Sequence, residues 1–212
     1  MADFLNSISQ AVQDGDDKQV VELVGKPLES GISALDILEK GLIPGIQALG
    51  KLFKEGKAYL PEILMSCRAM NRGVDVLKPR LGSVDIPSKG TVVIGTVEGD
   101  MHDIGKNLVK LMLESNGFRV DDLGADVIPD LFVSAVRGKS ADIVAMSALL
   151  TMTMVAMPAV IEALKKVGLR DKVKIMIGGA PISREFADQI GAEGFAEDCV
   201  SAVDEAMRLM KL

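Results

Sequence analysis

The sequence predicts two parts, a bundle of short helices over residues 1–82 and a doubly wound α/β domain over residues 91–212. Three observations predict this division. In the first part, apolar residues recur at intervals of three and four, as in amphipathic helices. In the second part, short β-branched runs alternate with helical stretches, which is typical of a parallel sheet covered on both faces. Between the two parts, residues 79–90 hold two prolines and two glycines, and we assign the linker to 83–90.

The first part is predicted to hold four or five short amphipathic helices, which pack most economically as an antiparallel bundle. Among their apolar positions are Ile8, Val20, Leu49, Ile63 and Leu77. Breaks between the helices are expected at residues 14–16, 30–31, 41–44 and 56–61. Each of these stretches contains glycine, proline, serine or aspartate, the residues that stop one helix or begin the next.

The second part is predicted to hold five strands, at residues 91–97, 118–123, 142–147, 173–178 and 193–196. Helices are expected near 103–116, 130–138, 155–167 and 183–190, with a last helix running to Leu212. The expected strand order is 2-1-3-4-5, which is Rossmann-like and flavodoxin-like. Ligands of such sheets bind beyond the carboxyl ends of the strands where the strand order reverses. Here that point lies between strands one and three.

Composition narrows the classes of function. The chain has 212 residues and a formal net charge of −6, which argues against a protein that binds the phosphate backbone of nucleic acid. Cys67 and Cys199 lie far apart in sequence and form no disulfide framework. We find no targeting leader and no apolar run that is long enough to span a bilayer. The expectation is a cytoplasmic protein with neither a nucleic-acid nor a membrane partner.

The only histidine, His102, lies in the segment EGDMHDIGKN (98–107), where strand one gives way to a helix. An aspartate two residues earlier, Asp100, can accept the Nδ1 proton of His102 and leave Nε2 free to bind a metal. A zinc site would lack ligands, because no other histidine exists and neither cysteine is nearby. A metal at His102 would therefore take its other donors from a prosthetic group. The alternative is a loop histidine that caps the following helix, with Asp103 as the charge at the helix N-terminus.

Two further loops are predicted to meet at the same edge of the sheet. Ser147, Thr151 and Thr153 follow strand three, where their hydroxyls can bond Asp100 or a cofactor, or can simply cap the next helix. A glycine pair at 178–179 ends strand four, where it opens a slot against the sheet or makes a tight turn. The pattern G-x-G-x-x-G is absent after strand one, so nicotinamide or flavin binding through that fingerprint is disfavoured.

Together, three motifs resemble the cobalamin-binding signature of corrinoid methyl-carrier proteins, which are related to the cobalamin module of methionine synthase. The motif D-x-H-x-x-G is residues 100–105, S-x-L is residues 147–149, and G-G is residues 178–179. The helical first part resembles the cap bundle of these proteins, so the likeness spans nearly the whole chain. The resemblance implies cobalamin as the cofactor, as methylcobalamin, cob(I)alamin or a related corrinoid.

The resemblance also implies which residues form the site. His102 would replace the nucleotide tail of the corrinoid as the lower axial ligand of cobalt, and Asp100 would orient it. Thr153 stands where methionine synthase has a serine, and it completes the predicted catalytic group with His102 and Asp100. The predicted cofactor contacts are Asp100, Met101, His102, Asp103, Ile104, Gly105, Ser147, Leu149, Thr151, Gly178, Gly179 and Ala196.

By the same resemblance, the chain would carry a methyl group from a substrate-specific methyltransferase to a second methyltransferase that acts on tetrahydrofolate or a thiol carrier. A reductive activator would be a third partner. The chain would be one component of a methyltransferase system rather than a stand-alone enzyme, with Tyr59, Leu60 and Leu64 of the cap near the methyl group. The alternatives are a cobalamin-binding sensor, the cofactor-binding subunit of a mutase, and a flavodoxin-like domain without cofactor. The methyl donor is not predicted.

Overall fold

A computed structural model describes residues 2–29, 32–81 and 88–212. The chain divides into two compact units, residues 1–87 and 88–212. Residues 83–87 of the predicted linker lie outside the described residues. Within the described ranges, we find no helix that is both long enough and apolar enough to cross a membrane.

The first unit is helical. Its helices are α1 (Ala2–Gln13), α2 (Asp17–Glu29), α3 (Ala34–Ile37), α4 (Ile43–Lys54) and α5 (Leu60–Leu81). Gly15 makes the turn between α1 and α2 with a φ of +71°, a backbone conformation that glycine adopts without strain. Apolar side chains on the inner faces of the helices are fully buried, including Ile8, Val20 and Ile37. The predicted break at residues 30–31 falls on residues that the structure does not describe.

The predicted break at residues 41–44 is wrong. A π-helical turn, Leu38–Leu42, joins α3 to α4, and the N–H of Ile43 donates to the carbonyl of Leu38. Pro44 follows the π-helical turn as the second residue of α4. The chain therefore stays helical through a segment that its glycine and proline had marked as a break.

The second unit is a five-stranded sheet in which all neighbouring strands are parallel, in the order β2-β1-β3-β4-β5. The strands are β1 (Thr91–Thr96), β2 (Arg119–Asp122), β3 (Ile143–Ser147), β4 (Lys174–Gly178) and β5 (Gly194–Ala196). The connecting helices are α6 (Ile104–Ser115), α7 (Pro129–Lys139), α8 (Ala156–Lys166) and α9 (Arg184–Ile190), and α10 (Cys199–Met210) ends the chain. The predicted fold class and strand order are confirmed.

Burial on both faces explains why β1, β3 and β4 consist of nearly continuous apolar runs. Val93, Val144 and Ile175 are fully buried in one cluster with side chains of α7 and α8, such as Phe132 and Met157. The strand order reverses at β1, because the chain leaves β1 for β2 on one side and then returns to β3 on the other. This reversal places the β1–α6 and β3–α8 loops next to each other at the carboxyl edge of the sheet.

Candidate functional site

The last residues of four strands pair with one another in one row at the carboxyl edge of the sheet, where the site is predicted. Thr96 at the end of β1 pairs with Ser147 of β3, Ser147 pairs with Gly178 of β4, and Gly178 pairs with Ala196 of β5. Each of these residues ends its strand. The sequence motifs of four strands therefore meet at one edge, beside the point where the strand order reverses.

The carboxylate of Asp100 is the centre of this site. Its side chain is fully buried, and Oδ1 lies 2.8 Å from Nδ1 of His102 and accepts the backbone N–H of the same histidine at 3.0 Å. The other oxygen, Oδ2, accepts the backbone N–H groups of Leu149 and Leu150 at 2.8 and 3.2 Å. It also accepts the hydroxyl of Thr153 at 2.6 Å. Five donors from two loops thus converge on one buried carboxylate.

These contacts fix the charge of Asp100. Burial alone would raise the pKa of this carboxyl group. The hydrogen bonds from Thr153, from the backbone of His102 and Leu149, and from the imidazole outweigh burial and hold the pKa of Asp100 well below its ordinary value. Because the carboxylate is ionised, Nδ1 of His102 carries the proton that lies between them. We call this arrangement of Thr153, Asp100 and His102 the relay.

The relay leaves Nε2 of His102 with a free lone pair on a half-exposed side chain, which is 49% accessible. The loops that carry the relay expose large apolar side chains, although such side chains are usually buried. These side chains are Met101, Ile104, Leu149, Leu150, Met152 and Val155. A nitrogen donor beside an apolar surface fits a flat macrocycle that brings its own metal.

Two further observations support that fit. A Cβ atom on Gly105 would meet no atom within 4 Å, so the first turn of α6 faces open space. Among the described residues, no three side chains of the His, Cys, Asp or Glu type come together to hold an ion. A metal held at His102 would therefore need its other donors from outside these side chains, and binding of a metal by His102 stays a prediction.

The alternative role of His102 as a helix cap finds no support in the geometry. Asp103 occupies the N-cap position of α6, and its side chain makes no capping hydrogen bond. Its carboxylate instead accepts the side-chain amide of Asn107 at 3.1 Å. The imidazole of His102 is bonded to Asp100 rather than to the helix N-terminus.

The glycine pair allows neighbouring backbone segments to approach closely. A Cβ atom on Gly178 would lie 2.8 Å from the carbonyl oxygen of Ala196, and one on Gly179 would lie 1.9 Å from that of Ala148. Gly179 also has a φ of +127°, which side chains rarely tolerate. Neighbouring carbonyls therefore fill the space where these side chains would lie. That Gly178, Gly179 and Ala196 line the tail of a corrinoid stays a prediction.

The structure separates the predicted hydroxyl groups. Thr153 is buried and bonded to Asp100, whereas Thr151 is exposed and makes no hydrogen bond to that carboxylate. Ser147 is half-buried, and its backbone carbonyl accepts the N–H of Val97 at 3.0 Å. Contacts of Thr151 and Ser147 with a cofactor stay predictions.

Several groups that shape the site were missed in the sequence. The amides of Leu149 and Leu150 are backbone donors, which no side-chain motif reveals. Lys106, in the first turn of α6, is 2% exposed, and its Nζ lies 2.6 Å from Oδ1 of Asp122 at the end of β2. Burial opposes ionisation of Asp122, but the ammonium of Lys106 prevails and lowers the pKa of that carboxyl group. This ion pair ties the start of α6 to the sheet.

Replacing Thr153 by valine is expected to lower the free energy of unfolding by about 1–2 kcal/mol, because the buried carboxylate loses one donor while the shape of the side chain is kept. Thr153→Ser keeps the hydroxyl, and its free energy of unfolding is expected to fall by less than about half the loss in Thr153→Val. Urea denaturation of the protein without cofactor measures both values. A larger loss of stability in Thr153→Ser than in Thr153→Val would show that the methyl group, and not the hydroxyl, carries the contribution of Thr153.

Comparisons with known proteins agree with this geometry. Residues 90–204 match a family model described as a B12 binding domain, and residues 5–78 match a second model of the same description. The chain is 42% identical over 210 residues to a corrinoid protein of Desulfitobacterium hafniense, covering 98% of this chain and 97% of that protein. It is 39% identical over 210 residues to trimethylamine corrinoid protein 1 of Methanosarcina acetivorans, covering 98% and 97% of the two chains.

A solved structure is similar to this chain over nearly its whole length. The matched chain belongs to the methanol:cobalamin methyltransferase complex MtaBC from Methanosarcina barkeri, with a TM-score of 0.88 and 32% identity. The match covers 99% of this chain and 80% of that chain. Together with the two family models, these similarities confirm the predicted resemblance and the prediction of a cobalamin or related corrinoid as cofactor.

Proposed function

This chain belongs to the family of corrinoid proteins with B12-binding domains, and from that premise we propose that it carries a methyl group on cobalt between two methyltransferases. One observation carries the proposal. The imidazole of His102 offers Nε2 to a metal, while Asp100 and Thr153 hold its other nitrogen at the carboxyl edge of the sheet. The proposed role is that of a carrier within a system of enzymes in the cytoplasm.

Each residue of the relay has a stated task. His102 would hold the cobalt of the corrinoid through Nε2, while its Nδ1–H donates to Asp100. Asp100 accepts that proton in a hydrogen bond and keeps the ring in one tautomer. Thr153 and the amides of Leu149 and Leu150 keep the carboxylate ionised and fixed in place. When bound, the corrinoid supplies a metal that accepts and releases a methyl group.

The surface around the relay would hold the macrocycle. Met101, Ile104 and Met152 are between 71% and 84% exposed, so each has apolar area to place against the ring. The open space beside Gly105 would let the backbone of α6 approach the macrocycle. Contact with the ring would remove this apolar surface from water, which is the main favourable contribution that such side chains make to binding.

The first unit exposes apolar side chains of its own, at the start of α5. Tyr59 is 69% exposed, Met65 is 54% exposed, and Leu60 and Leu64 are each 38% exposed. That Tyr59, Leu60 and Leu64 lie near the methyl group stays a prediction from the resemblance.

The partners are proposed from the relatives. One relative is named a trimethylamine corrinoid protein, and the similar structure is part of a methanol:cobalamin methyltransferase complex. We therefore propose a substrate-specific methyltransferase as the first partner. A second methyltransferase that uses tetrahydrofolate or a thiol carrier, and a reductive activator, complete the proposed system.

Electron paramagnetic resonance tests the proposed ligand directly, because His102 is the only histidine. The protein is loaded with hydroxocobalamin, desalted, reduced to the Co(II) form and compared with protein grown on ¹⁵N-labelled histidine. We expect the cofactor to stay bound, and we expect the nitrogen coupling of cobalt to change with the label. Coupling that is the same in labelled and unlabelled protein would contradict ligation by His102.

A mixing experiment tests the proposed carrier role. Reduced, cofactor-loaded protein is combined with candidate methyltransferases and donors such as methanol, methylamines, betaines or aryl methyl ethers, and the absorption spectrum is followed. Formation of the methylated cofactor with one donor and its own enzyme is the expected result. A cofactor that stays unmethylated with every pair would favour the sensor or mutase-subunit alternatives.

A further inference from the structure

We propose that Thr96 and Asp126 are positioning residues for His102, which they control by fixing the loop between β1 and α6. The inference rests on the proposed function, in which His102 is the ligand of cobalt. Neither residue touches the imidazole. Each instead bonds the backbone of the loop that carries it.

Thr96 holds the end of the loop. Its side chain is fully buried at the end of β1, and its hydroxyl donates to the carbonyl of His102 at 3.2 Å. The backbone of Thr96 is itself fixed, because its N–H donates to Gly124 and its carbonyl accepts the N–H of Val127, both at 3.0 Å. The hydroxyl therefore ties the backbone of the proposed ligand to a rigid strand.

Asp126 holds the middle of the loop. Its Oδ1 accepts the N–H of Gly99 at 2.7 Å, and its own N–H donates to the carbonyl of Asp100 at 3.0 Å. Asp126 has a φ of +54°, in the left-handed region that aspartate and asparagine tolerate better than most residues. In this backbone conformation, Asp126 accepts a hydrogen bond from residue 99 and donates one to residue 100.

These contacts restrain the loop on both sides of the Asp100 side chain. Asp126 fixes the backbone at Gly99 and Asp100, and Thr96 fixes it at His102. The 2.8 Å contact between Oδ1 of Asp100 and Nδ1 of His102 depends on both backbone positions. Loss of either restraint would let the loop vary and would weaken the preference for one tautomer.

Four variants separate this role from ordinary packing. Asp126→Gly keeps the backbone conformation and removes the acceptor, while Asp126→Asn keeps an acceptor oxygen and tolerates the conformation. Thr96→Val removes the hydroxyl with little change of shape, while Thr96→Ser keeps it. The asparagine and serine variants are the matched controls, and urea denaturation reports the stability of all four.

Two readouts follow the imidazole itself. Long-range ¹H–¹⁵N spectra of the protein without cofactor, recorded above the ordinary histidine pKa of about 6.5, give the tautomer of the single histidine. Spectra of the loaded Co(II) form give the ratio of histidine-bound to histidine-free cobalt. We expect Asp126→Gly and Thr96→Val each to lower that ratio about three- to tenfold and to raise the Nε2–H tautomer, whereas Asp126→Asn and Thr96→Ser stay near the wild type.

The two readouts also distinguish failure of the inference from failure of the proposed function. If wild-type cobalt shows no coupling to labelled histidine, the ligand proposal fails, and the tautomer in the cofactor-free protein still decides the role of Thr96 and Asp126. If wild-type cobalt is bound by histidine and both Asp126→Gly and Thr96→Val keep the wild-type ratio and tautomer, the positioning role is overturned. Asp126 is exposed, so Asp126→Gly decides the question even where Thr96→Val fails to fold.

Discussion

Replacing His102 by alanine is expected to weaken retention of cobalamin by about 10- to 100-fold and to abolish the nitrogen coupling of Co(II) that depends on histidine. The physical reason is that no other imidazole exists in the chain to take its place at the metal. The fold should survive, because the ring is 49% exposed and the backbone of residue 102 keeps its hydrogen bond to Asp100. Equilibrium dialysis against hydroxocobalamin and resonance spectra of the reduced form measure the two effects.

Glu98→Gln provides the matched control for this variant, since Glu98 lies in the same loop and is exposed. It should bind cobalamin as the wild type does. Far-ultraviolet circular dichroism should be unchanged in both variants. If His102→Ala retained the cofactor with wild-type affinity and an unaltered Co(II) spectrum, the axial role of His102 would be wrong. If it unfolded, the histidine would be a structural residue of the loop.

Replacing Asp100 by asparagine is expected to have the largest combined effect on stability and cofactor binding. An amide cannot accept at both positions, so its NH₂ group must face either the backbone N–H of His102 or the N–H of Leu149 and the hydroxyl of Thr153. We expect the free energy of unfolding to fall by about 3 kcal/mol. Cobalamin binding should weaken by about 10- to 100-fold, because the imidazole loses the acceptor that orients it. Urea denaturation and dialysis measure these values, with Asp188→Asn on the exposed surface of α9 as the control.

The same variant should change how stability depends on pH. The pKa of Asp100 is lower in the folded protein than its ordinary value of 3.8, so the folded state favours the ionised form. The resulting stabilisation is complete above the unfolded pKa and is lost as the pH falls from there through the folded pKa. Wild-type protein should therefore lose stability on acidification below about pH 4 more steeply than Asp100→Asn. If the free energy of unfolding fell equally with pH in the two proteins, that result would argue against an ionised, hydrogen-bonded Asp100.

Local patterns sufficed for most of the fold. In the second unit, each predicted strand, and each helix for which both ends were predicted, agrees with the structure to within one residue at either end. The reason is that β-branched runs, and the glycines and prolines between them, are local signals. The error at residues 41–44 arose because a glycine and a proline were assumed to end a helix. The glycine lies in a π-helical turn and the proline follows it in α4, an arrangement that the local sequence does not predict.

The site was predictable in part for the same reason. His102, Asp100 and Thr153 carry chemistry in their side chains, so their spacing relative to the strands could indicate a common edge. Which hydroxyl reaches Asp100 depends on how the β3–α8 loop turns, so residue spacing alone did not separate Thr151 from Thr153, and only the resemblance singled out Thr153. Lys106 and Asp126 belong to none of the sequence motifs. Their partners lie on distant strands and loops, so only the folded register brings them into contact.

The convergence of two loops on one carboxylate has a thermodynamic consequence. Leu149, Leu150 and Thr153 reach Asp100 from residues that are about fifty positions away in the chain. Linkage is reciprocal, so a metal that polarises the imidazole tightens the β3–α8 loop by the same free energy with which an ordered loop favours the metal. If His102 binds the metal as proposed, an enzyme that docks on that loop and loosens it would weaken the hold of His102 on the metal without touching the histidine.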